Sequence, residues 1–360
     1  MSTFLYTLPV EKTLWTVDNQ TTTVFNWEYD ENREKLLNLY EKGKKLQWNS
    51  NHRIDWAMEV DPDNPLGVPD EGIAIYGSET WNKMSNKERA ELKRHMAAWQ
   101  FSQFMHGEQG ALICTAKIVS TVPLVDAKFY AATQVMDEAR HIEAFARFLY
   151  EKIQLLYPIN KNLQLLLEQV ITDKRWDMTY LGMQILIEGL ALAAFGTIRD
   201  FTTNPLARAM TAFVMQDEAR HVAFGRLSLR DYYPQLTQKE RDEREQFVVE
   251  ACYWMRDRFG AREVYEKLGI DPKSALEYSA EVGAGREFQR MLFSRIVPAI
   301  KEIGLWGPTV QKGFADMGII DYSQLNPNEL NDYDEAVALE FDSTRAAATN
   351  KVIALAAKVN

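Results

Sequence analysis

The sequence predicts an all-α chain: a four-helix bundle with extra N- and C-terminal helices. Long stretches carry helical periodicity without proline, and two breaks, STVP ending at Pro123 and TTNP ending at Pro205, divide the centre into halves. The third observation is a repeat. Glu108 is followed 30 residues later by Glu138 in DEARH (Asp137 to His141), and Glu188 is followed 30 residues later by Glu218 in a second DEARH (Asp217 to His221), so Glu, Glu and His recur at an offset of 80. In each DEARH the Glu and His stand at i and i+3 and leave one face of a helix.

The midpoint between Glu108 and Glu138 is Pro123, and that between Glu188 and Glu218 is Thr203. Helical hairpins turning there put each glutamate about 15 residues, or roughly 22 Å, from its turn. Two such hairpins face to face bring four carboxylates and two imidazoles to one height in a bundle core, the arrangement of di-iron and di-manganese carboxylate proteins.

Taken in order, residues 1 to about 28 have a β-like flavour at Phe4 to Val10 and Thr21 to Trp27, which suits an extended arm lying on the bundle. A helix is expected from about Asp30 to Trp48. Asp61 to Gly72, with Pro62, Pro65 and Pro69, reads as loop. Ser85 and Glu88 have capping-box spacing and open a helix running to Pro123, which carries Glu108. The next runs from Pro123 to about Leu156, then a shorter one from Leu163 to Thr172. The stretch Arg175 to Phe201 has Glu188 as its only charge between Asp177 and Arg199, a setting in which a carboxylate needs a cation or a proton. The fourth bundle helix spans Pro205 to Tyr233. Further helices are expected at Gln238 to Leu268 and Lys273 to Ile296. Glycines and prolines break the pattern beyond Pro298, and an Ala-rich helix closes the chain from about Asp332 to Lys358. In domain terms, 1–84 is an arm with a packing helix, 85–233 the bundle, and 234–360 additional helices of the same domain.

Composition excludes several classes. A net charge of -10 argues against nucleic acid and against a polybasic membrane surface. Two cysteines, Cys114 and Cys252, make no disulfide framework and suit a reducing cytoplasm. The first residues lack the basic start and apolar core of a signal peptide, and no run reaches 18 uninterrupted apolar residues, so no membrane span is expected.

Four carboxylates and two imidazoles, Glu108, Glu138, His141, Glu188, Glu218 and His221, offer hard oxygen donors that bridge and nitrogen donors that cap, and roughly neutralise two divalent ions. Six such ligands do not match a closed tetrahedral zinc site. Asp137 and Asp217 are expected to accept the second N–H of a histidine in the opposite hairpin, with Arg140 and Arg220 balancing charge. Phe104, Ala111, Phe145, Phe148, Leu192 and Val214 lie a turn or so from the ligands and are the candidate substrate wall. His106 points off the Glu108 face; His52 and His95 have no partner at ligand spacing.

GEQGA at Gly107 to Ala111, with the two DEARH motifs, resembles the ferritin-like di-iron superfamily, in its ribonucleotide-reductase-small-subunit-like branch, over about residues 85 to 233. The nearest group resembled is the hydroxylase α-subunits of bacterial multicomponent monooxygenases, and YEKGKKLQWNSNHRIDW (Tyr40 to Trp56) is similar to part of their N-terminal region. The resemblance implies the six ligands and the two second-sphere aspartates named above. Three departures narrow it. Phe145 stands where radical-storing subunits have tyrosine, Leu192 where the multicomponent monooxygenases have threonine, and Val214 where arylamine N-oxygenases have a third histidine, which argues against that last assignment.

The function expected from all this is an O2-activating di-iron (or Mn/Fe) oxygenase, acting on a small apolar organic substrate and supplied with electrons by a ferredoxin or flavin reductase. A homodimer is expected. The alternatives are an arylamine-type N-oxygenase or desaturase-like oxidase, and an iron-handling protein without organic substrate.

Overall fold

The computed structural model describes residues 10–29, 33–283 and 285–356. Every regular element among them is helical. The helices that position the site are numbered in chain order: α1 Glu34–Lys45, α2 Asn86–Thr121, α3 Val125–Arg147, α4 Lys161–Thr172, α5 Trp176–Phe201, α6 Pro205–Tyr232, α7 Gln238–Asp257 and α8 Pro327–Ala356. The chain is an all-α, ferritin-like bundle with flanking helices beyond its core.

The capping box at the start of α2 forms as its spacing requires: Glu88 N–H donates to Ser85 Oγ at 3.3 Å, and Ser85 N–H donates back to Glu88 Oε2 at 2.7 Å. α2 and α3 form one antiparallel hairpin, α5 and α6 the other. The metrics of the two match. Thirteen residues separate Glu108 from the end of α2 at Thr121, Glu138 from the start of α3 at Val125, Glu188 from the end of α5 at Phe201, and Glu218 from the start of α6 at Pro205. At 1.5 Å per residue all four carboxylates stand about 20 Å from their turns, and so at one level.

Hydrophobic burial fills the space between the hairpins. Phe101, Phe145, Phe148, Phe195, Phe213 and Phe224 are fully buried. α5 is the most apolar helix, and among the described residues it is long and apolar enough to cross a membrane; 78% of its most apolar window is buried inside the fold. Its apolar character is that of a largely buried core helix.

Several elements differ from expectation for local reasons. Thr21 to Trp27 forms no strand: Val24 N–H donates to Ser120 O and the Asn26 side chain to Pro123 O, so the arm runs along the α2–α3 turn without a ladder partner. Phe4 to Pro9 lie outside the described residues. The helix expected from Gln238 to Leu268 breaks at Ala261, whose φ is 47°, and resumes as Arg262–Lys267. That expected from Lys273 to Ile296 divides into Pro272–Glu281, Arg286–Met291 and Ile296–Glu302, because Gly283 and Gly285 adopt positive φ between the first two. α8 begins at Pro327, its proline at the first turn.

α5 contains a π-helical segment, and another directly continues α3. In α5 it covers Leu181–Ile187 and ends directly before Glu188; the other follows the ligand turn, at Phe148–Ile153. An extra residue per turn shifts the helical register by about 100°. Because the α5 segment lies before Glu188, the 13-residue path from Glu188 to the turn remains regular. Gly225 of α6 makes room for it: a Cβ there would lie 2.6 Å from Gln184 Cβ.

Candidate metal centre

The structure brings the six side chains together. Glu108, Glu138, His141 and Glu218 present donor atoms all within 4.8 Å of one another, and Glu138, Glu188 and His221 form a second such group. Glu138 belongs to both. Its Oε1 lies 3.1 Å from His221 Nδ1 and its Oε2 3.6 Å from His141 Nδ1. Glu218 Oε1 lies between the same two rings, 3.0 Å from His141 Nδ1 and 3.4 Å from His221 Nδ1. Glu108 stands at the His141 end, at 3.4 Å, and Glu188 groups with His221. All six are buried.

The remaining imidazole nitrogens are tied across the hairpins. His141 Nε2 is 3.1 Å from Asp217 Oδ2, and His221 Nε2 is 3.2 Å from Asp137 Oδ2. Arg140 Nη2 bridges Asp137 and Asp217, at 2.8 Å from the latter, and Arg220 Nη2 holds Asp217 Oδ1. A carboxylate on Nε2 fixes the ring and leaves Nδ1 facing the centre.

An ion pair fits this cluster on the chemistry of what is left unsatisfied. Nδ1 of both histidines, Oε2 of Glu138 and of Glu188, and both oxygens of Glu218 are buried and lack an aligned hydrogen-bond partner, although the histidine Nδ1 atoms lie 3.0–3.6 Å from Glu138 Oε2 and Glu218 Oε1. Buried polar groups are normally satisfied, and so many orphans aimed at one point mark a place for cations. The buried His/Glu clusters thus suit a dimetal site of iron or manganese.

Without cations the cluster compensates its charge with protons. Burial pushes the Glu108 and Glu188 carboxyls well above the ordinary range, with repulsion from Glu218 adding at Glu108 and from Glu138 at Glu188. Burial alone would lower both imidazoles; the surrounding carboxylates overcome it and raise His141 and His221 well above ordinary histidine. Burial would likewise raise Glu138, but the two imidazolium rings hold it low.

Sequence reasoning missed three residues. Gln47 Nε2 donates to Asp137 Oδ1 at 2.7 Å while its Oε1 accepts from Arg140 at 2.7 Å; Trp48 Nε1 donates to Asp217 Oδ2 at 2.7 Å. Both residues belong to the Tyr40 to Trp56 stretch, whose distinctiveness was visible but whose docking was not. Gln134, one turn before Glu138, donates to Glu138 Oε1 at 2.9 Å and to Glu188 Oε1 at 2.8 Å. A buried amide at i−4 of a ligand was the signal.

The six wall residues, Phe104, Ala111, Phe145, Phe148, Leu192 and Val214, are all buried. Phe104, Phe145 and Phe148 pack with Phe101 and Phe195, Phe104 meeting Phe195 edge to face at 4.7 Å between centroids. A cleft of about 390 Å³ lies elsewhere, lined by Gln47, Trp48, His52 and Arg53. His106 is occupied by Tyr157 O at 2.9 Å, and His95 pairs with the Tyr157 hydroxyl.

Fold and site together define a ferritin-like protein with a candidate dimetal centre. A model of the family "P-aminobenzoate N-oxygenase AurF" matches residues 30–304, and the chain belongs to that family. The match goes to N-oxygenases although Val214 stands in place of a third histidine, and it corrects the weight given to that position; nothing in it singles out the multicomponent monooxygenases. No curated protein matches the sequence. Among solved structures, a protein with aldehyde deformylating oxidase activity from Synechococcus overlaps with a TM-score of 0.47 at 17% identity, over 64% of this chain and 98% of its own. A variant of an R2-like ligand-binding oxidase with a Mn/Fe cofactor overlaps with a TM-score of 0.47 at 17% identity, over 78% and 96%.

Proposed function

We propose that this chain is a dimetal N-oxygenase that transfers one oxygen atom of O2 to the nitrogen of a small aromatic amine, using Glu108, Glu138, His141, Glu188, Glu218 and His221 to hold two iron ions or a Mn/Fe pair. The observation that carries the reading is the cluster of orphaned donors buried in a chain of the AurF family. The ions would supply the redox chemistry that makes O2 reactive. Forming a hydroxylamine from an amine leaves the second oxygen atom as water and consumes two electrons and two protons. With no nicotinamide or flavin motif in the sequence, those electrons come from an external ferredoxin or flavin reductase.

The chain's own residues perform the rest. Asp137 and Asp217 fix the imidazoles, and Arg140 and Arg220 offset the aspartates' charge. Phe104, Phe145 and Phe195 are buried and pack on one another, an apolar group one turn along the helices from Glu108 and His141.

That apolar group also favours a second reading, hydroxylation of a carbon on an apolar substrate. One experiment decides. Protein loaded anaerobically with Fe(II) is given a chemical reductant, 18O2 and either p-aminobenzoate and related anilines or matched arenes lacking the amine. Labelled hydroxylamine, nitroso or nitro products are expected from the amines alone; labelled phenols from the arenes favour the second reading, and no labelled product from either set overturns both.

A further inference from the structure

The 80-residue repeat makes the two halves nearly superimposable in their ligands, so the positions where it fails are informative. One turn before the DEARH glutamate the first half carries Gln134 and the second Val214. Both are fully buried. Gln134 spends both amide hydrogens on the centre: Nε2 lies 2.9 Å from Glu138 Oε1 and 2.8 Å from Glu188 Oε1. Its own carbonyl oxygen accepts nothing. In this orientation the amide sets its donors, and not that oxygen, against the acidic oxygens of Glu138 and Glu188. Val214 offers no side-chain donor, and neither oxygen of Glu218, the ligand one turn beyond it, accepts a hydrogen bond.

Resting on the dimetal reading above, we propose that Gln134 is a positioning residue chiefly for the ion on the His221 side, clamping Glu188 and the Glu138 oxygen that faces His221, and that the two ion positions are made inequivalent by its replacement with valine in the other half. An N–H shared between two ligand carboxylates holds their separation before an ion arrives and offsets the repulsion between them. Glu108 and Glu218, lacking such a clamp, are the ligands free to change their mode of binding. Their freedom places any rearrangement on ligand binding at the His141 end.

The test uses Mn(II) as the probe, titrated anaerobically and followed by the EPR signal of the free ion. Wild-type protein is expected to take up two ions. In Gln134→Met, which keeps the length and removes the donors, one binding step is expected to weaken by about 10- to 100-fold and the other by less than about threefold. Anomalous diffraction at limiting Mn(II) is expected to show the lost occupancy among Glu138, Glu188 and His221. A merely structural role would move both steps together. Unchanged steps, parallel weakening, or loss at the His141 end overturns the proposal while leaving the dimetal reading intact; failure of the wild-type protein to bind two ions overturns both. Should the variant not fold, the Mn-loaded wild-type crystal decides, since an amide turned away from metal-bound Glu138 and Glu188 refutes the clamp and one bonded to both supports it.

Discussion

Asp217 Oδ2 lies 3.1 Å from Nε2 of His141, and the two residues belong to different hairpins. Asp137 makes the reciprocal contact to His221. Each histidine is therefore oriented by the half of the bundle that does not carry it, so metal binding and the packing of the hairpins are one process.

Replacement of Asp217 by Asn keeps the shape but removes the charged acceptor from the His141 ring. Metal affinity is expected to fall by about 10- to 100-fold, since partners of ligating histidines are worth that much. Iron titration of Asp217→Asn against wild type, with circular dichroism to confirm folding, reads the effect. Affinity within about twofold of wild type would deny the ring a role for this contact.

Metal uptake should release protons. His141 and His221 are raised above ordinary histidine, and Glu108 and Glu188 above ordinary glutamate, so near neutral pH the metal-free cluster retains protons that ions must displace. Apparent affinity rises with pH. The sign for stability is opposite: groups raised in the folded state contribute fully below their unfolded values and lose that contribution as pH rises through the folded ones. The metal-free protein is therefore expected to lose stability on going above neutrality, and saturating metal to abolish the loss. Calorimetric melts with and without Mn(II) across that range check both, and a metal-free melting temperature that climbs with pH would contradict the assignment.

Gln47→Leu removes a donor to Asp137 and the acceptor of Arg140. Leaving buried charged groups short of partners costs about 1–3 kcal/mol. Urea unfolding should show a loss in that range, and Gln47→Glu, which keeps the acceptor for Arg140 but sets a carboxylate against Asp137 Oδ1, should show no smaller one.

α8 is anchored by Asp334, whose fully buried side chain pairs with Arg199 of α5 at 2.9 Å and with Arg295 at 2.6 Å. Removing one partner of a buried ion pair costs about 3–5 kcal/mol. Asp334→Ala is expected to lower stability by that order and to make α8 the first site of proteolysis; cleavage elsewhere first would show that the helix is held by its apolar face instead.

Both thiols should be inert in the native state. Burial pushes Cys114 up to about 12, and Cys252 is raised for the same reason. A chromogenic disulfide reagent at pH 8 is expected to label neither until denaturant is added.

The sequence by itself determined the all-helical class and the equal lengths of the two hairpins, because helix periodicity, capping at Ser85 and Glu88, and proline breaks act within a few residues. It likewise singled out the Glu, Glu and His of each half, since an i, i+3 pair repeated at a fixed offset is a one-dimensional signal. What only the tertiary structure decided are contacts between segments far apart in the chain: Trp48 on Asp217, Gln47 on Asp137, and Gln134 on Glu188 in the opposite hairpin. Nothing local specifies these partners. They arise when apolar faces pack and bring buried polar atoms of distant segments within reach of complementary donors and acceptors.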